Sequence, residues 1–194
     1  MKKLLALILA GAMLLAFAAC GGNSDNGETT TQAPVAQVDV ADATDLLTKV
    51  WASFGDDEKP FVMGGYGDTM VDGAPGKFDV SLAEDIDAML GLPAANVADI
   101  DDAASVIHAM NANTFTCAAF HLNAGTDAAA FVDALKANLQ ARQWMCGIPE
   151  KILIVTVGDY VVSAFGAADI LDNLNAKLGA QFSAAAVVVD EPIA

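Results

Sequence analysis

The chain has 194 residues, 9 Lys+Arg against 25 Asp+Glu and a formal charge of −16. That length suits one domain with a tail rather than two large lobes. The charge argues against a phosphate-neutralising nucleic-acid binder, and 55% hydrophobic content with 18% charged argues against wholesale disorder.

The N-terminus opens Met1-Lys2-Lys3 and continues into Leu4–Ala19, sixteen residues without a charge. This is shorter than the roughly 20 residues a permanent spanning helix needs, and it shows no polar face. A basic start, an apolar run and a small-residue end predict an export signal over residues 1–19. The segment Leu15-Ala16-Phe17-Ala18-Ala19-Cys20-Gly21-Gly22 resembles a bacterial lipoprotein processing site, with Phe17 where an aliphatic residue is usual. The resemblance implies that Cys20 becomes the first mature residue and carries the lipid. Ala16-Phe17-Ala18 also satisfies the rule for ordinary secretion, which would release an unanchored protein. Stable anchoring takes more than one acyl chain, which a diacylglyceryl group supplies. Loss of residues 1–19 removes Lys2 and Lys3 and no acid, so the charge becomes −18. Residues 20–37 then form the lipidated cysteine and a Gly/Ser/Thr/Asn/Gln-rich tether that cannot bury enough surface to order itself. The expected location is the outer face of the cytoplasmic membrane.

A single domain is expected over residues 38–190. Leu46, Leu47, Val50, Trp51 and Phe54 are spaced as one face of a helix over 39–54. Residues 60–77 hold many glycines and two prolines and predict irregular structure with a short strand at Phe61–Met63. Gly64-Gly65-Tyr66-Gly67 lacks the spacing of a phosphate-binding loop. Ser81 and Glu84 are placed as a capping box for a helix ending at Gly91 and Pro93. Asp99, Asp101 and Asp102 precede a second short helix over 103–110; their spacing is not that of a calcium loop.

Residues 114–122 predict a buried strand and 126–143 a helix with Phe131, Val132, Leu135 and Leu139 on its apolar stripe. Lys151–Val157 and Tyr160–Phe165 read as a hairpin turning at Gly158-Asp159. A last helix spans 167–181. Residues 185–189 suit either a helix tail or an edge strand. The C-terminal order β-α-β-β-α predicts an α+β fold: a small mixed sheet with helices packed on one face.

The chain from Asn113 to Leu174 resembles a family of small lipoproteins from Gram-positive gut bacteria, a domain of unknown function. The pieces that carry the likeness are Asn113-Thr114-Phe115, Gln143-Trp144-Met145-Cys146-Gly147-Ile148-Pro149-Glu150 and Val157-Gly158-Asp159-Tyr160-Val161. The resemblance implies an exported lipoprotein with a compact α+β domain and no assigned reaction, so it transfers no catalytic residue.

Candidate chemistry is sparse. A helix over 126–143 returns the chain to the start of strand 114–122, so Cys146 approaches Cys117 and an exported disulfide is permitted; two buried thiols are the equal alternative. Cys117 and His121 lie about 13 Å apart along one strand, too far for a nucleophile–base pair. Two separated histidines, His108 and His121, and two distant cysteines do not supply a zinc site. No hydrolase signature is present, and Ser163 lies within a hairpin strand. Trp51, Trp144 and Tyr160 suit core packing better than a ligand groove. These observations predict no cofactor and no metal. They favour a non-enzymatic lipoprotein that binds an envelope protein or ligand through an exposed apolar patch. A transporter-associated small-molecule receptor and an enzyme are the alternatives.

Overall fold

The computed structural model describes residues 38–193. The expected signal over 1–19, Cys20 and the tether over 21–37 lie outside the described residues. Asp42 caps the first helix, α1 (Ala43–Ala52), by accepting the Asp45 backbone N–H at 2.7 Å. The helix buries Leu46, Leu47, Val50 and Trp51, the face that the spacing predicts.

Three short strands follow: β1 (Val62–Gly64), β2 (Val71–Asp72) and β3 (Gly76–Phe78). β1 and β3 pair in succession along one edge of β4 (Ile100–His108). They meet at Gly64 and Gly76, where a Cβ on Gly64 would lie 2.2 Å from the Ala74 carbonyl oxygen. Only glycine allows that crossing. Between them and β4 lies α2 (Ala83–Leu90), closed by Gly91 in the left-handed conformation. The expected Ser81/Glu84 capping box is not formed. Leu82 is the capping position, and the Asp79 carboxylate instead accepts the Ser81 N–H at 2.9 Å.

The segment expected as a helix over 103–110 is instead the second half of β4, to His108, and the first residues of the following loop. Its apolar run is short and has no polar face to distinguish the two periods. Tertiary pairing decides the outcome: Ala103 lies opposite Phe120 and Val106 opposite Cys117, in the middle of the sheet. The remaining elements follow the expected order: β5 (Phe115–Leu122), α3 (Ala128–Ala141), β6 (Lys151–Val157), β7 (Tyr160–Gly166), α4 (Ala168–Gln181) and β8 (Ala185–Pro192). Asp127 caps α3 through the Ala129 and Ala130 N–H groups. The ambiguous 185–189 stretch is part of edge strand β8, which pairs with β6 and carries the domain past residue 190.

The fold is α+β, with two corrections to the expected detail. The sheet is not mixed: among the described residues every strand pairing is antiparallel, in the order β2-β1-β4-β5-β7-β6-β8. The crossover through α3 places β6 beyond β7, so β5 and β6 never pair. Nor do the helices cover only one face. α1 and α4 bury Leu47, Val50, Leu171 and Leu174 on one side with Cys117, Ala119 and Val155. α2 and α3 bury Ile86, Leu90, Leu135 and Leu139 on the other with Ala118, Phe120 and Ile154. The physical reason is visible in β4 through β7, whose strands are apolar at both parities and so need cover on both faces. Each fully buried Leu or Phe contributes about 1.5–3 kcal/mol.

Candidate functional site

Two loops meet at the end of the sheet where β6 begins. One, residues 109–114, joins β4 to β5; the other, 142–150, joins α3 to β6. Asparagines on the first hold the second. Asn113 Nδ2 donates to the Met145 and Gly147 carbonyls at 2.5 and 2.7 Å, and Asn111 Nδ2 to the Cys146 carbonyl at 3.3 Å. The first loop is itself shaped by His108, whose Nδ1 accepts the Met110 and Asn111 N–H groups at 3.2 and 3.1 Å. The second bends through left-handed backbone at Cys146 (φ 65°) and Gly147 (φ 109°). Beside the first loop, the Phe61 carbonyl accepts the Ala109 N–H at 2.9 Å.

This framework presents apolar side chains to solvent. Met110 is 81% exposed, Met145 80%, Ile148 67% and Phe61 60%. Residues 109–114 and 143–149 contain no charged side chain, in a chain of −16. A shallow cleft of about 170 Å³ runs between them past Asn111, Asn113, Cys146 and Ile148. An uncharged, apolar tip on a strongly acidic domain is the surface that association favours, because it is cheap to desolvate.

Arg142 and Trp144 form the foot of this tip. Arg142 is the chain's one arginine. Its Cζ lies 5.1 Å from the Trp144 ring centroid and 5.9 Å from that of Phe165. Its Nη2 donates to the Ala88 carbonyl of α2. Burial pulls its pKa below the usual arginine range, an effect that Asp87 partly offsets. Lys49, Lys59, Lys77, Lys136, Lys151 and Lys177 each face a carboxylate at 2.6–3.9 Å. Among the described residues Arg142 alone of the Lys and Arg side chains has no such partner. Its Nη1 and the Trp144 Nε1 are both buried without a hydrogen-bond acceptor. No motif or spacing in the sequence singles out Arg142; its one signal there is that it is the sole arginine, next to a chargeless run.

The residues singled out from sequence do not converge. Cys117 is fully buried on the α1/α4 side, where burial pushes its thiol up to about 12. Cys146 is exposed in a loop that leaves α3, on the other face of the sheet, and both thiols are free. The permitted disulfide is not formed in this structure: Cys117 is buried beneath α1 and α4, and Cys146 is exposed in the loop after α3. Trp51 and Tyr160 pack in the α1/α4 core, with the Trp51 Nε1 donating to the Gly73 carbonyl at 3.0 Å, while Trp144 packs on the α2/α3 side.

At the opposite end of the sheet His121 lies between Asp101 and Asp159, with its ring 4.7 Å from that of Tyr160. Burial, with smaller contributions from Asp159 and Asp102, pushes the Tyr160 phenol up to about 12. Nearby, Lys77 Nζ meets Asp102 Oδ1 at 3.1 Å. Among the described residues no group of three His, Cys, Asp or Glu side chains is arranged to hold a metal, and no helix is long and apolar enough to cross a membrane. No protein-family model, curated protein or solved structure matches the chain.

Proposed function

We propose that this chain is an exported lipoprotein, anchored through Cys20, whose domain presents the uncharged tip to a protein partner at the cell envelope. It acts as an interaction module and not as an enzyme. The observation that carries the reading is the exposed, uncharged tip, which lies at the other end of the sheet from the first described residue. Val38, the first described residue, lies beside Phe182 and Ala184, at the end of the sheet where β6 finishes and β8 starts. The tip with Met110, Met145 and Ile148 is at the end where β6 begins, about 20 Å away along the strand. The −18 charge keeps the flanks from sticking to the anionic membrane surface.

The test is photocrosslinking in cells that make the lipidated chain. A photoreactive residue replaces Ile148 in one strain and Asp172, on the exposed flank of α4, in another. The expected result is a discrete crosslinked protein from position 148 and none from 172, with the chain released from membranes by Cys20→Ser. Identical crosslinks from both positions, or none from either, would overturn the reading.

A further inference from the structure

We infer that Arg142 and Trp144 form a subsite for the carboxylate of an apolar ligand, the partner's apolar peptide C-terminus being the source we favour. The inference rests on the proposed role of the tip and goes beyond it by naming the chemistry recognised.

A half-buried guanidinium without a counter-ion is costly, and a buried donor left unpaired costs more than a pair gains. This chain has 25 acidic residues with which to neutralise one arginine. Asp87 is near enough to be felt by Arg142, but its oxygens are engaged by the Asn138 Nδ2 at 2.8 Å and the Ala94 N–H at 3.3 Å. With Nη2 held by the Ala88 carbonyl, Nη1 remains to donate, and the stacked indole adds a second donor that can do nothing but donate. Two unpaired N–H donors on side chains whose guanidinium carbon and indole centroid are 5.1 Å apart, one of them cationic, suit the two oxygens of a carboxylate.

The charge of the domain narrows the ligand further. A field of net −16 repels polyanions, which excludes phosphate-rich ligands more strongly than a single carboxylate. A monocarboxylate must then draw its affinity from apolar contact. Met145 and Ile148, exposed and one and four residues beyond Trp144 in the chain, are the side chains available for that contact. Both donors are buried at the start of the 142–150 loop, so a ligand reaches them only when the loop around them moves. Hydrogen bonds from Asn111 and Asn113 hold the loop, and its bend is at Cys146 and Gly147. Recognition thus exchanges two unpaired donors for a paired anion.

The experiment is an NMR titration of the ¹⁵N-labelled full chain, lipidated and held in nanodiscs, following its two indole N–H signals. The probes are N-acetyl-Ala-Ala-Leu as the free acid, the same peptide as its C-terminal amide, and butyrate. The Trp144 signal is expected to shift with the free acid while the Trp51 signal, bonded to Gly73, stays in place. The amide should bind about tenfold more weakly or worse, and Arg142→Gln should abolish the shift. Arg142→Lys should retain a weakened response, which guards against a variant that merely misfolds. A shift with butyrate but not with the peptide would support the carboxylate subsite and assign its source to a free alkanoic acid. No shift with either acid, or equal binding of acid and amide, would overturn the inference. Crosslinking from position 148 reads the tip's partner independently, so this result and that one fail separately.

Discussion

His121 Nε2 stands 3.1 Å from Asp159 Oδ2, and its Nδ1 stands 2.5 Å from Asp101 Oδ1. One ring therefore joins two neighbouring strands, β4 and β5, and the turn into β7. Burial opposes the charged ring, but the hydrogen bonds to Asp101 and Asp159 outweigh it and hold its pKa above the ordinary 6.5. The consequence follows from linkage: a group whose pKa is raised on folding stabilises the fold fully below its unfolded pKa. That contribution is lost as the pH rises through the folded value. The wild-type chain should exceed His121→Gln in stability by up to about 1 kcal/mol near pH 6, an advantage that fades toward alkaline pH. Urea midpoints of the two proteins across this range measure it. A gap that grew with pH would contradict the arrangement.

Thiol chemistry should divide the cysteines by face. Cys146 is exposed and Cys117 is buried with its pKa near 12. In the native protein with Cys20→Ser, a thiol reagent at neutral pH should label Cys146 alone, and Cys117 should react only on unfolding. Mass spectrometry of the labelled peptides reads this directly. Rapid native labelling of Cys117 would be incompatible with its place in the α1/α4 core.

Removing the tip's side chains should cost little stability. Met110, Met145 and Ile148 are largely exposed, so replacing each with Ser should change unfolding free energy by about 0.5 kcal/mol or less. Met110→Ser with Met145→Ser, in the strain that carries the photoreactive residue at position 148, should remove the crosslinked partner. A large drop in thermal midpoint would mean that these residues support the fold instead.

The two-faced sheet makes a paired prediction. Leu135 of α3 and Leu174 of α4 are buried on opposite sides. Each change to Ala should destabilise by about 2–5 kcal/mol. Being far apart across the sheet, the two should add in the double variant. Chemical denaturation of the four proteins tests this, and a negligible effect of either single change would argue for cover on one face only.

Asn113 should act as the fastener of the site. Its side chain spans the Met145 and Gly147 carbonyls. Asn113→Ala should cost about 1 kcal/mol and open the 142–150 loop to protease ahead of global unfolding. Limited proteolysis with fragment sequencing locates the first cut. An unchanged cleavage pattern would show that the loop does not depend on Asn113.

Much of the chain was legible because its signals are local. The stripe Phe131, Val132, Leu135, Leu139 marks α3, and Gly158-Asp159 between two apolar runs marks the β6–β7 hairpin, whatever surrounds them. Other elements were not legible because their state depends on distant partners. Ala103–Ile107 is as compatible with helix as with strand until β5 and β3 pair with it. The Ser81/Glu84 pattern is a sound start signal that the chain overrides with Asp79.

The sequence by itself determined the acidic charge, the order of the C-terminal elements and the absence of a recognisable catalytic motif. Each of these is a property of composition or near-neighbour spacing. Tertiary structure alone decided that Cys117 and Cys146 lie apart, that helices cover both faces, and that Arg142 stacks on Trp144 beneath an uncharged tip. Those are relations between residues brought together by sheet pairing and crossover, and no local periodicity encodes them.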